Sequence, residues 1–104
     1  MRNLVMALAL GLAVVMPGAA SANNTPQARA AFEEGQELYA NRNYERLPLA
    51  IARFEAAVEL DETYAEAWAA LAMAYALAPH WAINDRDYNV LAVEAAGRAL
   101  AIAP

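Results

Sequence analysis

The strongest constraint on the fold of this chain is a repeat of its apolar residues at a constant offset of 42 positions. The first copy is Ala50, Ile51, Phe54, Ala57, Val58 and Leu60, and the second is Ala92, Val93, Ala96, Ala99, Leu100 and Ile102. Side chains three and four positions apart lie on one face of an α-helix, so each copy predicts an amphipathic helix. No segment alternates with the two-residue period of a strand. The pattern therefore predicts an all-α chain built from two copies of one helical unit.

The first unit is predicted to contain two helices separated by a polar break. Thr25 and Pro26 favour a helix start, because a hydroxyl can accept a hydrogen bond from a free backbone N–H and proline suits the first helical position. This helix is expected to run to about Ala40. The next is expected to begin at Pro48, because a helix tolerates proline in its first turn, and to end near Leu60.

The second unit is predicted to have the same form. Thr63 and Glu66 have the spacing of a capping box, in which each side chain accepts a hydrogen bond from the backbone N–H of the other residue. The helix that they begin should stop near Ala78, since Pro79 disfavours helical backbone in the residue before it. A polar and aromatic loop follows, and the last helix is expected over about 87–103.

Residues 1–22 have the pattern of a secretory signal peptide. An arginine precedes the apolar run Leu4–Met16, and Ala20-Ser21-Ala22 offers small side chains to a peptidase. A transmembrane anchor needs about 20 apolar residues, and Pro17-Gly18 interrupts the run before that length. We therefore expect cleavage before Asn23, export to the periplasm or the extracellular space, and no membrane association of residues 23–104. An uncleaved membrane anchor is the alternative.

The two units resemble the tetratricopeptide repeat, a helical hairpin of about 34 residues with the pattern W-x2-L-G-x2-Y, a small residue, an aromatic, an alanine and a proline. In the first unit, about residues 28–62, the matching positions are Ala31, Gly35, Leu38, Tyr44, Ala50, Phe54 and Ala57. In the second, residues 63–104, they are Trp68, Leu71, Ala72, Tyr75, Ala92, Ala96, Ala99 and Pro104. The resemblance implies that residues 23–104 form two antiparallel hairpins stacked as a short solenoid. Both hairpins are longer than usual in their internal turns.

The resemblance also implies a module for protein interaction with no chemistry of its own. In tetratricopeptide proteins the first helix of each hairpin lines a concave groove that takes an extended peptide or a partner helix. The matching positions here are Arg29, Phe32, Gln36, Tyr39 and Ala40 in the first unit, and Glu66, Ala69, Met73, Ala76 and Leu77 in the second. The family's carboxylate clamp for chaperone tails needs lysine, and this chain has none. A different protein or peptide partner is therefore expected.

Composition disfavours enzymes, metal or cofactor sites and nucleic-acid binding. The chain has no cysteine, and Thr25 and Thr63 are the only hydroxyl nucleophiles of serine or threonine type after residue 22, where both serve as predicted helix caps. His80 with Asp85 and Asp87 falls short of a zinc ligand set, and the two aspartates are instead expected to cap the last helix. A formal charge of −5 disfavours contact with phosphates. We expect no catalytic residue, no cofactor, no metal and no nucleic-acid partner.

Two questions stay open at the level of sequence. Trp68 is expected to be buried between the hairpins, whereas Trp81, in the long loop, either folds back over the domain or anchors a partner. A helical repeat buries its apolar face only against a neighbour. The chain is therefore also compatible with the N-terminal part of a larger secreted protein that has downstream repeats, or with a small helical protein that forms homo-oligomers.

Overall fold

A computed structural model describes residues 25–104 of the chain, and the predicted signal peptide lies outside these residues. The described part has helices and no strand, which confirms the prediction of an all-α chain. Its helices are α1 (Pro26–Ala40), α2 (Arg46–Leu60), α3 (Ala65–Leu77) and α4 (Tyr88–Ile102), with a 3-10 turn at Ala78–Trp81. Within residues 25–104, no helix has the length and apolar character needed to span a membrane.

Helices α1 and α4 begin with the side-chain caps that the sequence suggests. The hydroxyl of Thr25 accepts a hydrogen bond from the Ala28 N–H at 3.3 Å, and Pro26 occupies the first turn. At α4, the Asp87 carboxylate accepts from the Val90 N–H at 3.3 Å. Each cap satisfies a backbone donor that has no partner inside its helix.

Helix α2 begins at Arg46, so the predicted start at Pro48 is wrong by two residues. The side-chain oxygen of Asn43 accepts hydrogen bonds from the N–H groups of Glu45 and Arg46, at 2.9 and 2.7 Å. These bonds satisfy donors ahead of the helix and allow an earlier start. Pro48 still lies in the first turn, where its missing N–H costs no intrahelical bond.

The capping box predicted for α3 does not form. The Thr63 hydroxyl donates to Asp61 Oδ1 at 2.7 Å, and the Thr63 N–H donates to the same oxygen at 3.0 Å. Tyr64 occupies the position before the helix and provides no side-chain cap. Asp61 is buried, and a buried carboxylate needs hydrogen-bond donors, so it engages the threonine that the capping box would require.

The core is centred on α2, which packs against α1 on one side and against α3 on the other, while α3 also packs against α4. The largest fully buried side chains are Phe54, Leu47, Ile51 and Leu71. Gly35 of α1 lies directly on the Phe54 ring, because a Cβ added there would stand 2.6 Å from two ring atoms. Close approach of α1 and α2 therefore depends on this glycine.

Trp68 is not fully buried, contrary to expectation. Its side chain is half-buried against the edge of the core. The indole N–H donates to the Glu62 carbonyl at 2.9 Å, and the Arg98 guanidinium lies 4.9 Å from the ring centroid. The indole N–H requires a hydrogen-bond acceptor. Trp68 reaches the Glu62 carbonyl because it lies at the edge of the core and not inside it.

Candidate binding groove

A groove runs between α1 and α3 and consists of two adjoining cavities of about 250 and 330 Å³. Tyr39 and Met73 line both cavities, so the two form one surface. The other lining residues are Gln36, Ala40, Phe54 and Ala70 in the first cavity and Ala76, Leu77 and His80 in the second. We call this surface the α1–α3 groove.

The groove brings together part of the predicted site. Gln36 and Tyr39 of α1 face Met73 and Leu77 of α3 across it, together with the smaller Ala40 and Ala76. All six are positions that the family resemblance implies. They gather because residues three, four and seven apart lie along one stripe of each helix.

Four other predicted groove residues lie outside the α1–α3 groove. The Phe32 ring is half-buried and its centroid lies 5.0 Å from that of Tyr64 and 6.0 Å from that of Phe54, so it contributes to the packing. Arg29 is exposed on α1. Burial raises the pKa of Tyr64, and the positive charge of Arg29 acts in the opposite direction. Glu66 lines a separate depression of about 490 Å³ between the start of α3 and the end of α4, and Ala69 lies with it.

The groove is apolar in the middle and cationic at one edge. Met73 is 60% exposed, and the Tyr39 ring lies 6.4 Å from the ring of Phe54, centroid to centroid. The guanidinium of Arg42 lies 4.4 Å from the Tyr39 ring centroid and donates to the Tyr39 carbonyl at 2.8 Å. The Arg42 guanidinium is held beside the groove by its stacking on the Tyr39 ring and by its hydrogen bond to the Tyr39 carbonyl.

Sequence reasoning missed Phe54 and His80 as lining residues of this groove, and Arg42 as the cation stacked on the Tyr39 ring. Phe54 was assigned to the core, and it contributes both to the core and to the groove. Arg42 lies three residues after Tyr39, and His80 lies three after Leu77, with its Nδ1 3.3 Å from the Ala76 carbonyl. Both spacings continue the stripe by one turn beyond the helix end, and this is the signal that would have identified them.

A polar cluster fixes the segment before α4 to α2. The Tyr75 hydroxyl donates to Glu55 Oε2 at 2.5 Å, and Arg86 Nη2 lies 2.9 Å from the same oxygen. Burial, followed by the hydrogen bond to Glu55, raises the pKa of Tyr75 above its ordinary value. The tyrosine therefore stays protonated at neutral pH and acts as a donor. The Tyr88 hydroxyl adds a bond of 2.8 Å to Asp85.

Trp81 packs against the core. It is half-buried at the end of the 3-10 turn, and Ile83, two residues later, is buried. The left-handed backbone of Ala82, with φ of 62°, turns the chain between them. Trp81 therefore folds back onto the domain and does not contribute to the α1–α3 groove.

The described residues present no cluster of metal ligands, since among residues 25–104 no three His, Cys, Asp or Glu side chains gather in a geometry that could hold a metal ion. The chain matches no protein-family model, and no curated protein or solved structure matches it significantly. Function is therefore inferred from the geometry and chemistry of the α1–α3 groove.

Proposed function

We propose that this protein is an exported, tetratricopeptide-like interaction module that binds a peptide or short helix of a partner protein in the α1–α3 groove. The observation that carries the proposal is the continuous surface between α1 and α3, on which Tyr39 and Met73 are shared by both cavities. These two helices are the first helices of the two repeated units. In the tetratricopeptide family, first helices line the binding groove, so the stacked-hairpin arrangement and the groove support each other.

The groove residues suggest the chemistry of the ligand. Met73 is unbranched and polarisable, so it can adapt to apolar side chains of different shape. Tyr39 combines a large ring with a polar hydroxyl, a combination enriched in energetically important interface positions. Arg42 stands at the edge, where it can meet a carboxylate or a carbonyl of the ligand. We infer a ligand with one or two apolar anchors flanked by an acidic group.

The proposal requires no reaction at the protein. The titratable residue with the clearest role, Tyr75, is engaged by Glu55 as a structural donor and lies outside the groove lining. Binding by burial of apolar surface is sufficient for a scaffold or adaptor. We therefore assign no catalytic role and no cofactor to this chain.

The groove is tested by selecting peptides from a displayed random library against the protein and measuring their affinities by calorimetry. Met73→Glu is expected to raise the dissociation constant about tenfold or more, because it buries a carboxylate in an apolar site. Leu49→Glu is the matched control, since Leu49 is 55% exposed on α2 outside the groove. Equal loss of affinity in the two variants, with helix content retained, would contradict binding in the groove.

Export is proposed on the pattern of residues 1–22 and has its own test. We expect the protein recovered from the periplasm or culture medium to begin at Asn23, because Ala20-Ser21-Ala22 is suited to the peptidase. Intact-mass measurement of the exported protein locates the cleavage. A different N-terminus, or recovery of the whole chain in the membrane fraction, would reject the predicted site.

A further inference from the structure

The outward face of α4 is apolar and exposed. Val90, Val93 and Leu100 are 50%, 74% and 64% exposed, and Gly97 lies among them. Side chains three, four and seven positions apart share one face of a helix, so these four residues form one line, which we call the α4 stripe. Large exposed apolar residues that cluster in this way mark an interaction surface more often than isolated ones do.

The repeat shows that two residues of the α4 stripe correspond to buried residues in the first unit. Val93 and Leu100 lie 42 positions after Ile51 and Val58, which are only 2% and 5% exposed. Helix α2 is covered by α1 and by α3, whereas in the described part of the chain α4 packs against α3 and the short turn that follows it. These two apolar positions are therefore covered in one unit and uncovered in the other.

Gly97 is a second, independent indication that another surface covers the α4 stripe. Glycine destabilises the interior of a helix relative to alanine, so its presence needs a compensating reason. At Gly35 the reason is the ring of Phe54, which leaves no room for a Cβ. A Cβ added at Gly97 would meet no described atom within 4 Å. A glycine on an exposed apolar face permits another backbone to approach closely. The compensating contact is therefore expected from outside the described chain.

The surface that covers the stripe must itself be apolar. A head-to-tail stack would bring α1 of a second copy onto it, but α1 exposes the carboxylates of Glu33 and Glu37. Burying them against valine and leucine would be unfavourable. The α4 stripe of a second copy presents a matching face, and pairing of like surfaces around a two-fold axis is the commonest form of self-association.

We propose that two copies of this chain associate through their α4 stripes, with the helices antiparallel and Gly97 near the two-fold axis. Glu94 and Arg98 carry opposite charges and lie together along the edge of the stripe next to Trp68, on whose ring the Arg98 guanidinium stacks. Antiparallel pairing brings Glu94 of one copy towards Arg98 of the other, twice. The described residues that line the α1–α3 groove come from α1, α2, α3 and the turn after α3, so both grooves stay open. The dimer would then bind a partner with two ligand segments bivalently.

Site-specific crosslinking tests the geometry of the dimer. The chain has no cysteine, so Gly97→Cys introduces a single thiol into the full chain. A two-fold axis near this position brings the two Cα atoms within the range of about 7 Å that a disulfide spans. Mild oxidation is expected to give a covalent dimer about tenfold faster than with Leu49→Cys, which also carries one exposed thiol. Equal rates for the two variants would overturn the proposal.

Sedimentation equilibrium on the exported protein without the introduced cysteine keeps the test independent of that substitution. We expect a concentration-dependent dimer, with its dissociation constant raised about tenfold or more by Val93→Glu and unchanged by Leu49→Glu. Circular dichroism verifies that both variants keep their helix content. A monomer up to about 100 μM, where even a weak dimer would form, would overturn the proposal. The same mass distribution for both variants would also overturn it.

Discussion

Replacing Phe54 with alanine is expected to destabilise the domain by about 3–5 kcal/mol, the cost of a large cavity in a core. Phe54 is 1% exposed, and its ring meets Phe32 and Tyr39 at centroid distances of 6.0 and 6.4 Å. Small domains have total stabilities towards the low end of about 5–15 kcal/mol. The loss would therefore leave a large fraction of the molecules unfolded at room temperature.

Chemical unfolding followed by circular dichroism measures this loss. Leu49→Ala is the matched control on the same helix, because Leu49 is exposed and its truncation is expected to change stability by no more than about 0.5 kcal/mol. Since Phe54 also lines the α1–α3 groove, peptide binding should weaken along with stability. A Phe54→Ala variant as stable as Leu49→Ala would show that α2 is not the centre of the core.

The two helical glycines are expected to respond to alanine in opposite directions. In Gly35→Ala the new Cβ would lie 2.6 Å from two atoms of the Phe54 ring, which is enclosed and cannot move aside freely. We expect a net loss of about 1–3 kcal/mol from overpacking, despite the better helix propensity of alanine. In Gly97→Ala the Cβ meets no described atom within 4 Å. That variant should gain up to about 1 kcal/mol.

Both variants should be unfolded at low protein concentration, where self-association does not add to the measured stability. Combining Gly35→Ala with Phe54→Leu should recover part of the loss, because a smaller and more flexible side chain leaves room for the methyl group. A double-mutant cycle then reports the coupling between the two positions. A gain in stability for Gly35→Ala equal to that for Gly97→Ala would show that α1 and α2 do not approach as closely as described.

The local features of this protein could be predicted from sequence because they depend on residues close together in the chain. The all-α class follows from the spacing of apolar residues, and the caps at Thr25 and Asp87 depend on bonds spanning three residues. The capping box at Thr63 failed as a prediction because a nearby buried carboxylate, Asp61, competed for the hydroxyl.

The position of each side chain within the groove required the packed helices. Periodicity assigns Phe32, Gln36 and Tyr39 to one face of α1, but α3 leaves a cavity beside Gln36 and Tyr39 while the ring of Tyr64 packs against Phe32. Arg42 folds over the Tyr39 ring after the helix has ended. Such outcomes depend on where neighbouring helices cross, which no local pattern specifies.

Contacts between residues far apart in the sequence could not be predicted from local patterns either. Glu55 meets Tyr75 and Arg86 across 20 and 31 positions of sequence, and no local pattern connects these three residues. Ile51 and Val93 occupy equivalent places in the repeat, yet one is buried and the other is 74% exposed. The repeat establishes that both faces are apolar. Whether such a face becomes core or surface depends on whether another helix lies against it, because burial is a property of the packed neighbours.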